Sequence, residues 1–460
     1  MHAVRVRRFL AVLASTLCVT TLSAAGWPTD HGDNLRTGYL PAQARYHGLT
    51  MSFTRTLDGA VYGSPIIAGA NLVVATENNT VYALDPATGA VRWSHHLYPP
   101  VPLSSLPCGN IDPLGITGTP AYDAATGRVF VVTESADPKT VVRHEVFGLD
   151  AGTGATEWHR PIEVPGTDPK AEQQRAALAV RGSSLYVAYG GLTGDCGNYR
   201  GAVISVPTSG ALGARAYVVP TSREAGIWAP GGPVVDSAGR VIVAIGNGES
   251  TSGAYDYSDS VTSLNPNMTR HDFFAPSSWA SDNAQDFDLG SLTPVLTSNG
   301  YLLQAGKSGN GYVLRQSHLG LIGGQVFNAP LCRAFGVAAV TGNIVYLPCT
   351  DGVTRVEVTA NGTFSKKWTA TGIPGSPAVG NGAVFSMGDG TLYALSAQGQ
   401  RIGSFPIGST TRFATPALGL NRVYVGTTTG VTAVRVDLAG GSLPGGSSHR
   451  VGPVTRWCGR

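Results

Sequence analysis

Residues 81–93, VYALDPATGAVRW, read as a strand, a tight turn and a second strand. Val81, Tyr82, Ala83 and Leu84 form an apolar run typical of a buried strand. In Asp85-Pro86-Ala87-Thr88-Gly89 the aspartate caps the loop, the proline fixes φ and the glycine takes the positive-φ position. Val91-Arg92-Trp93 then runs back. One hairpin cannot bury its own face, so the unit must recur. It does so at residues 146–158, VFGLDAGTGATEW, and the shared skeleton is Asp-x-x-Thr-Gly-x-x-x-Trp. Repetition on this scale points to a solenoid or a propeller.

Working outward, eight units follow one another: residues 61–97, 115–162, 174–220, 225–276, 286–330, 334–370, 373–407 and 411–436. Several open on a small residue before proline, as in Gly63-Ser64-Pro65, Gly118-Thr119-Pro120, Thr293-Pro294, Gly375-Ser376-Pro377 and Thr415-Pro416. The eighth unit ends one strand short. A spare strand at residues 51–57 can supply the fourth, which closes a ring and removes the free sheet edges. The expectation is an all-β, eight-bladed propeller with four antiparallel strands per blade, closed by an N-terminal strand. Residues 26–60 then form the lead-in and closing strand, 61–437 the propeller, and 438–460 a flexible Gly/Ser-rich tail. Blades two to five are longer, and such insertions gather on one face, often the binding face. No stretch of the mature chain makes a convincing amphipathic helix; residues 169–178 come nearest.

The first 25 residues read as a signal peptide. Arg5, Arg7 and Arg8 precede an apolar segment too short to span a bilayer comfortably, and Ser23-Ala24-Ala25 offers a cleavage site. Leu17 before Cys18 is the wrong size for lipidation. No other stretch is long and apolar enough to span a membrane. The chain has 32 Lys and Arg against 29 Asp and Glu, and loss of the three leader arginines leaves 29 of each. A neutral mature protein without basic runs argues against nucleic acid as a partner. Export, to a secreted or periplasmic location, permits disulfides. Cys332 and Cys349 flank a hairpin turning at Thr341-Gly342-Asn343 and could pair across two strands. Cys108–Cys196 would then be a second bridge, with Cys458 left over.

The Asp-x-x-Thr-Gly-x-x-x-Trp units of blades one and two resemble the PQQ-type propeller repeat. That architecture is shared by quinoprotein alcohol dehydrogenases and by the propeller lipoprotein of outer-membrane protein assembly. In that family the repeat tryptophan packs between blades, so Trp93 and Trp158 are expected to be structural. The resemblance to the dehydrogenases implies a cofactor site. Gly226-Ile227-Trp228, followed by Gly246-Asn247-Gly248, resembles the tryptophan under the quinone and the asparagine ligand of calcium. Gly194-Asp195-Cys196-Gly197 before Arg200-Gly201 resembles the segment holding the acidic calcium ligand. Asp286-Phe287-Asp288 lies where the family's catalytic aspartate segment lies, with Asp282 as a competitor. Lys307-Ser308-Gly309-Asn310-Gly311-Tyr312 resembles the segment with the cationic quinone contact. The family's adjacent cysteine pair is absent, and there is no Cys-x-x-Cys-His for haem attachment.

Quinone-dependent alcohol oxidation needs a hard cation as Lewis acid, a carboxylate to take the hydroxyl proton and a flat apolar face. The resemblance implies PQQ and calcium as cofactors, with Asp195 and Asn247 as metal ligands, Asp286 or Asp288 as base, Trp228 as the face and Lys307 as the carbonyl partner. The substrate would be a small-molecule alcohol or polyol. The alternative is a non-catalytic cell-envelope scaffold binding a protein or glycan at the cell surface. Asp85 and Asp150 read as turn caps, Asp256 and Asp259 as a polar loop, and His95-His96 as a blade edge.

Overall fold

A computed structural model describes residues 26–439 except 43, 137–140 and 412. The leader, Cys18, most of the C-terminal tail and Cys458 lie outside the described residues. The chain forms eight antiparallel sheets: seven are four-strand meanders in sequence order, the eighth joins one N-terminal strand to three C-terminal ones, and additional short strands pair with three of the sheets. Blade 1 runs through Ile66–Ala68, Asn71–Ala75, Thr80–Leu84 and Val91–His96. Blade 7, through Ala378–Gly380, Ala383–Gly388, Thr391–Leu395 and Arg401–Pro406, has the same order.

The strands of one blade differ because neighbouring sheets stack face to face. Asn71–Ala75 is buried throughout, whereas Val91–His96 at the rim alternates exposed and half-buried residues. Between blades 1 and 2, Ile66, Val73 and Val81 meet Ile116, Val129, Phe147 and Leu149 in one apolar layer. Ring closure comes from Arg45–Thr56, which pairs antiparallel with Gly430–Ala439. The closing strand is therefore longer than expected, beginning at Arg45 and ending at Thr56, and the last blade strand reaches Leu438 and Ala439. Residues 169–178 are not helical; they carry the short strand Glu172–Gln173. The one α-helix among the described residues, Trp279–Ala284, lies in the connection between blades 4 and 5.

The lead-in is not an irregular appendage. Pro28 O accepts from Tyr122 N–H (2.7 Å) in the innermost strand of blade 2, and Thr37 O from Val340 N–H (2.7 Å) in that of blade 6. Trp27, Asn34 and Gly38 make the same bond to blades 1, 4 and 7. A segment bonded to opposite sides of the ring crosses its axis. Its side chains are buried to match: the Arg36 guanidinium donates to Thr29 Oγ1 (2.8 Å) and Leu178 O (3.0 Å), and His31 Nε2 lies 2.9 Å from Pro377 O. The axial channel is closed at this level.

Candidate active site

Each blade enters at the mouth of the ring, and each second strand ends there. Three such junctions, in blades 4 and 5, build the site. Ile227 N–H donates to Tyr189 O (2.9 Å), and Gly246 N–H to Gly226 O (2.9 Å), which lays the Trp228 segment beside Asn247. Gly246 cannot be replaced: a Cβ there would stand 2.2 Å from Asp288 Oδ1 and 3.2 Å from Trp228 Nε1. Lys307 N–H then donates to Asp288 O (2.9 Å), joining the third junction to the second.

Five residues named from the sequence meet here. Lys307 Nζ lies 2.6 Å from Asp288 Oδ2 and 2.7 Å from Asp286 Oδ1. It stands 5.9 Å from the centroid of the Trp228 ring. Asn247 N–H donates to Asp288 Oδ1 (2.6 Å). With its nitrogen toward the carboxylates, the Asn247 amide also donates to Asp288 Oδ1 (2.5 Å) and Asp286 Oδ1 (3.2 Å). Burial pushes the Asp288 carboxyl up against the pull of Lys307. Burial opposes the Lys307 ammonium, but Asp288 and Asp286 override it and raise its pKa. Asp286 is 63% exposed and Asp288 6%.

Asp195 is not drawn into this group. It is exposed, has φ 50° and accepts from the Tyr199 hydroxyl (2.6 Å). Burial, then Asp195 and, more weakly, Asp288 hold that phenol well above its ordinary value. Among the described residues no three His, Cys, Asp or Glu side chains form a group able to hold a metal ion. The oxygens on offer to a cation are those of Asp288, Asp286 and, with its amide turned over, Asn247.

Disulfides join Cys108 to Cys196 and Cys332 to Cys349, with Cα separations of 6.2 and 5.8 Å. The first ties the connection after blade 1 to the turn carrying Asp195. The second does not cross paired strands: Cys332 lies in the connection into blade 6 and tethers it to the end of Ile344–Cys349.

Other residues of the mouth escaped the sequence. The Phe413 and Phe335 rings pack on Trp228 at 6.0 and 6.5 Å, and Arg175 lies over Phe413 at 4.9 Å. Below them a cavity lined by Tyr62, Thr117, Thr119, Arg175 and Phe413 has Asp30 of the lead-in at its floor. Beside it lies a buried acidic group. Burial raises Glu77 and Glu172 to about 8. His144 is desolvated by burial, yet Glu134 (3.7 Å) and Glu163 (2.9 Å) push it up to about 10. The only sequence signal for Glu77 and Glu134 is their place at the mouth end of a second strand.

Residues 50–190 match the family model described as outer membrane protein assembly factor BamB. The matched residues include both full repeats, and the whole ring has the eight-bladed form. Residues 50–190 thus carry the PQQ-like propeller repeat, and the chain resembles that family. It is similar to a polyvinylalcohol dehydrogenase of Sphingopyxis sp. (strain 113P3), 26% identical over 269 residues, which are 52% of this chain. The match spans only 37% of that relative's length. Its fold is that of the quinohemoprotein alcohol dehydrogenase from Comamonas testosteroni (TM-score 0.68, 16% identity, 92% of this chain and 83% of that one). BamB from Moraxella catarrhalis shares the fold at a TM-score of 0.56, with 18% identity over 84% of this chain and 99% of that one. Among the described residues of this propeller, no helix is long and apolar enough to cross a membrane.

Proposed function

We propose that the propeller is an exported quinoprotein that oxidises an alcohol or polyol with PQQ and a bound calcium ion. The observation that carries the reading is the meeting of Trp228, Asn247, Asp286, Asp288 and Lys307 in one axial mouth. The residues suit the group: an indole face, an ammonium beside it, and carboxylate and amide oxygens for a hard cation. PQQ would rest on Trp228 and Lys307, and calcium on Asn247 and Asp286, which leaves Asp288 free of the metal. When bound, the quinone supplies the acceptor for the hydride equivalent of the alcohol C–H bond.

The rest falls to this chain. Asp288, whose pKa burial raises, takes the hydroxyl proton. Asp286 is the exposed partner that shares Lys307 with it. Lys307 stays charged and donates toward oxygen atoms of the bound ring. Phe413 and Phe335, packed on Trp228, exclude water from the indole. The chain lacks a haem-attachment motif, so electrons leave to a separate acceptor.

Calorimetric titration of the mature protein with PQQ, with and without calcium, tests the reading. Calcium-dependent binding at micromolar or tighter level, lost in Lys307→Ala, is expected. The match of residues 50–190 to an assembly-factor model favours a second reading, a cell-envelope scaffold. Absence of PQQ binding with an intact fold would leave that reading in place.

A further inference from the structure

Residues 246–259 join the second and third strands of blade 4, Val241–Ile245 and Ser260–Leu264. Asp259, at the end of this turn, reads from sequence as part of a polar loop. In the structure it is 1% exposed, and its φ of 45° is left-handed. Such a conformation at a residue other than glycine persists when the surroundings over-determine it. Asp259 is held from two sides. Its N–H donates to Gly246 O (2.7 Å), and its Oδ1 accepts from Leu289 N–H (2.6 Å). Gly246 precedes Asn247, and Leu289 follows Asp288. One buried residue therefore ties together the two junctions that carry the amide and the base.

The tie acts where these junctions touch. A Cβ on Gly290 would stand 2.5 Å from Gly246 N, just as one on Gly246 would stand 2.2 Å from Asp288 Oδ1. With the backbones this close, the bond to Leu289 N–H fixes how Asp288 faces Asn247 and Lys307. Ser258 works beside it. Its Oγ accepts from Asn283 Nδ2 (2.8 Å), and Asn283 Oδ1 accepts from Gly248 N–H (3.0 Å), on the far side of Asn247. Burial first, then the Asp282 and Asp288 charges, hold the Asp259 carboxyl well above its ordinary value, against the pull of Leu289 N–H and Lys307. A neutral carboxyl at this place serves as a hydrogen-bond acceptor. Asparagine offers the same acceptor and tolerates the same φ.

We infer that Asp259 is a positioning residue, which acts through Leu289 to set the Asp288 carboxylate against Lys307 and Asn247. The left-handed turn aims its side chain across the blade boundary, and the hydrogen bond to Leu289 N–H converts that aim into the place of the base. Small displacements of a base are costly to turnover. That consequence rests on the proposed oxidation; the placing of Asp288 does not.

The first test uses the protein without cofactor. Lys307→Ala is made alone, with Asp259→Gly and with Asp259→Asn, and urea midpoints are compared. Asp259→Gly keeps the left-handed φ but removes the acceptor, whereas Asp259→Asn keeps both. The midpoint loss caused by Lys307→Ala should be unchanged beside Asp259→Asn and about half as large beside Asp259→Gly. The same loss in all three backgrounds overturns the inference. If Asp259→Gly does not fold, Asp259→Ser, with its shorter arm, takes its place. The second test adds PQQ and calcium, with butane-1,3-diol as substrate and a dye as electron acceptor. Asp259→Gly should lower kcat about a hundredfold at unchanged KM and PQQ affinity, and Asp259→Asn should retain the native kcat. A native kcat in Asp259→Gly, or an equal loss in both variants, overturns the inference. If the native chain binds no PQQ, only the dehydrogenase reading falls, and the urea midpoints decide the role of Asp259.

Discussion

Lys307 lies 2.6 and 2.7 Å from two carboxylates, one of them buried. Removing it strands the Asp288 charge in a desolvated place. Lys307→Ala should cost about 3 kcal/mol, read by urea unfolding, and Lys307→Ala with Asp288→Asn should recover most of it. Recovery would show that the cost comes from the unpaired charge and not from lost packing. Glu77, Glu172 and His144 predict how the melting temperature follows pH. All three have folded pKa values raised above the unfolded ones, to about 8, 8 and 10. The folded chain thus holds more protons, and stability falls as pH rises. The carboxyl share is fully present below about 4.5 and lost by about pH 8. The His144 share is fully present below about 6.5 and lost by about pH 10. Glu77→Gln should flatten the lower part of the melting curve against pH; an unchanged slope would contradict the protonated state of Glu77.

The hairpin of residues 81–93 works as an element by engaging its neighbours. Asp85 Oδ1 accepts from the N–H groups of Ala87 and Thr88 (2.9 Å each), and Arg92 first, then these bonds, lower its pKa to about 2. In five units the turn glycine receives an aromatic ring from the preceding blade. A Cβ on Gly154 would stand 2.5 Å from Trp93, on Gly210 2.5 Å from Trp158, and on Gly399 2.6 Å from Trp368. The indole N–H of Trp93 then donates to Ala151 O (3.2 Å) and that of Trp158 to Thr208 O (3.1 Å). Blade 3 keeps only the glycine of the motif and blade 7 does the same, which explains why the full motif is visible just twice. Gly154→Ala must accept both a φ of +76° and the Trp93 contact. It should cost about 2 kcal/mol, with tryptophan fluorescence shifted to the red, whereas Gly127→Ala, which has the same kind of φ but open space around it, should cost less.

At the scale of the molecule, stability depends on closing the ring and its axis. Arg45–Thr56 closes the ring, the lead-in crosses the channel, and Cys108–Cys196 links positions 88 residues apart. Breaking that bridge by Cys108→Ser with Cys196→Ser frees a long loop in the unfolded chain. The expected loss is about 4 kcal/mol, measured as a lower denaturant midpoint. The lead-in predicts more than a local effect: Trp27, buried among residues of blades 1, 7 and 8, joins the ends of the ring. Trp27→Ala should cost about 4 kcal/mol and lower the melting temperature of the whole ring as one transition.

Local chemistry decided the blades. Apolar runs, Asp-capped turns and positive-φ glycines act within about ten residues, so eight units could be counted and the closing strand foreseen. Trp228, Asn247, Asp286, Asp288 and Lys307 could be named because each follows a short motif. Whether they met could not be read from sequence: their contacts span three junctions and depend on the close approach at Gly246. Asp195 shows the converse, since its motif is present but a left-handed turn directs it to Tyr199. The buried lead-in, the Phe413 and Phe335 rings on Trp228 and the acidic group around His144 carry no local signature. They arise from packing between residues hundreds of positions apart, and the tertiary structure alone decided them.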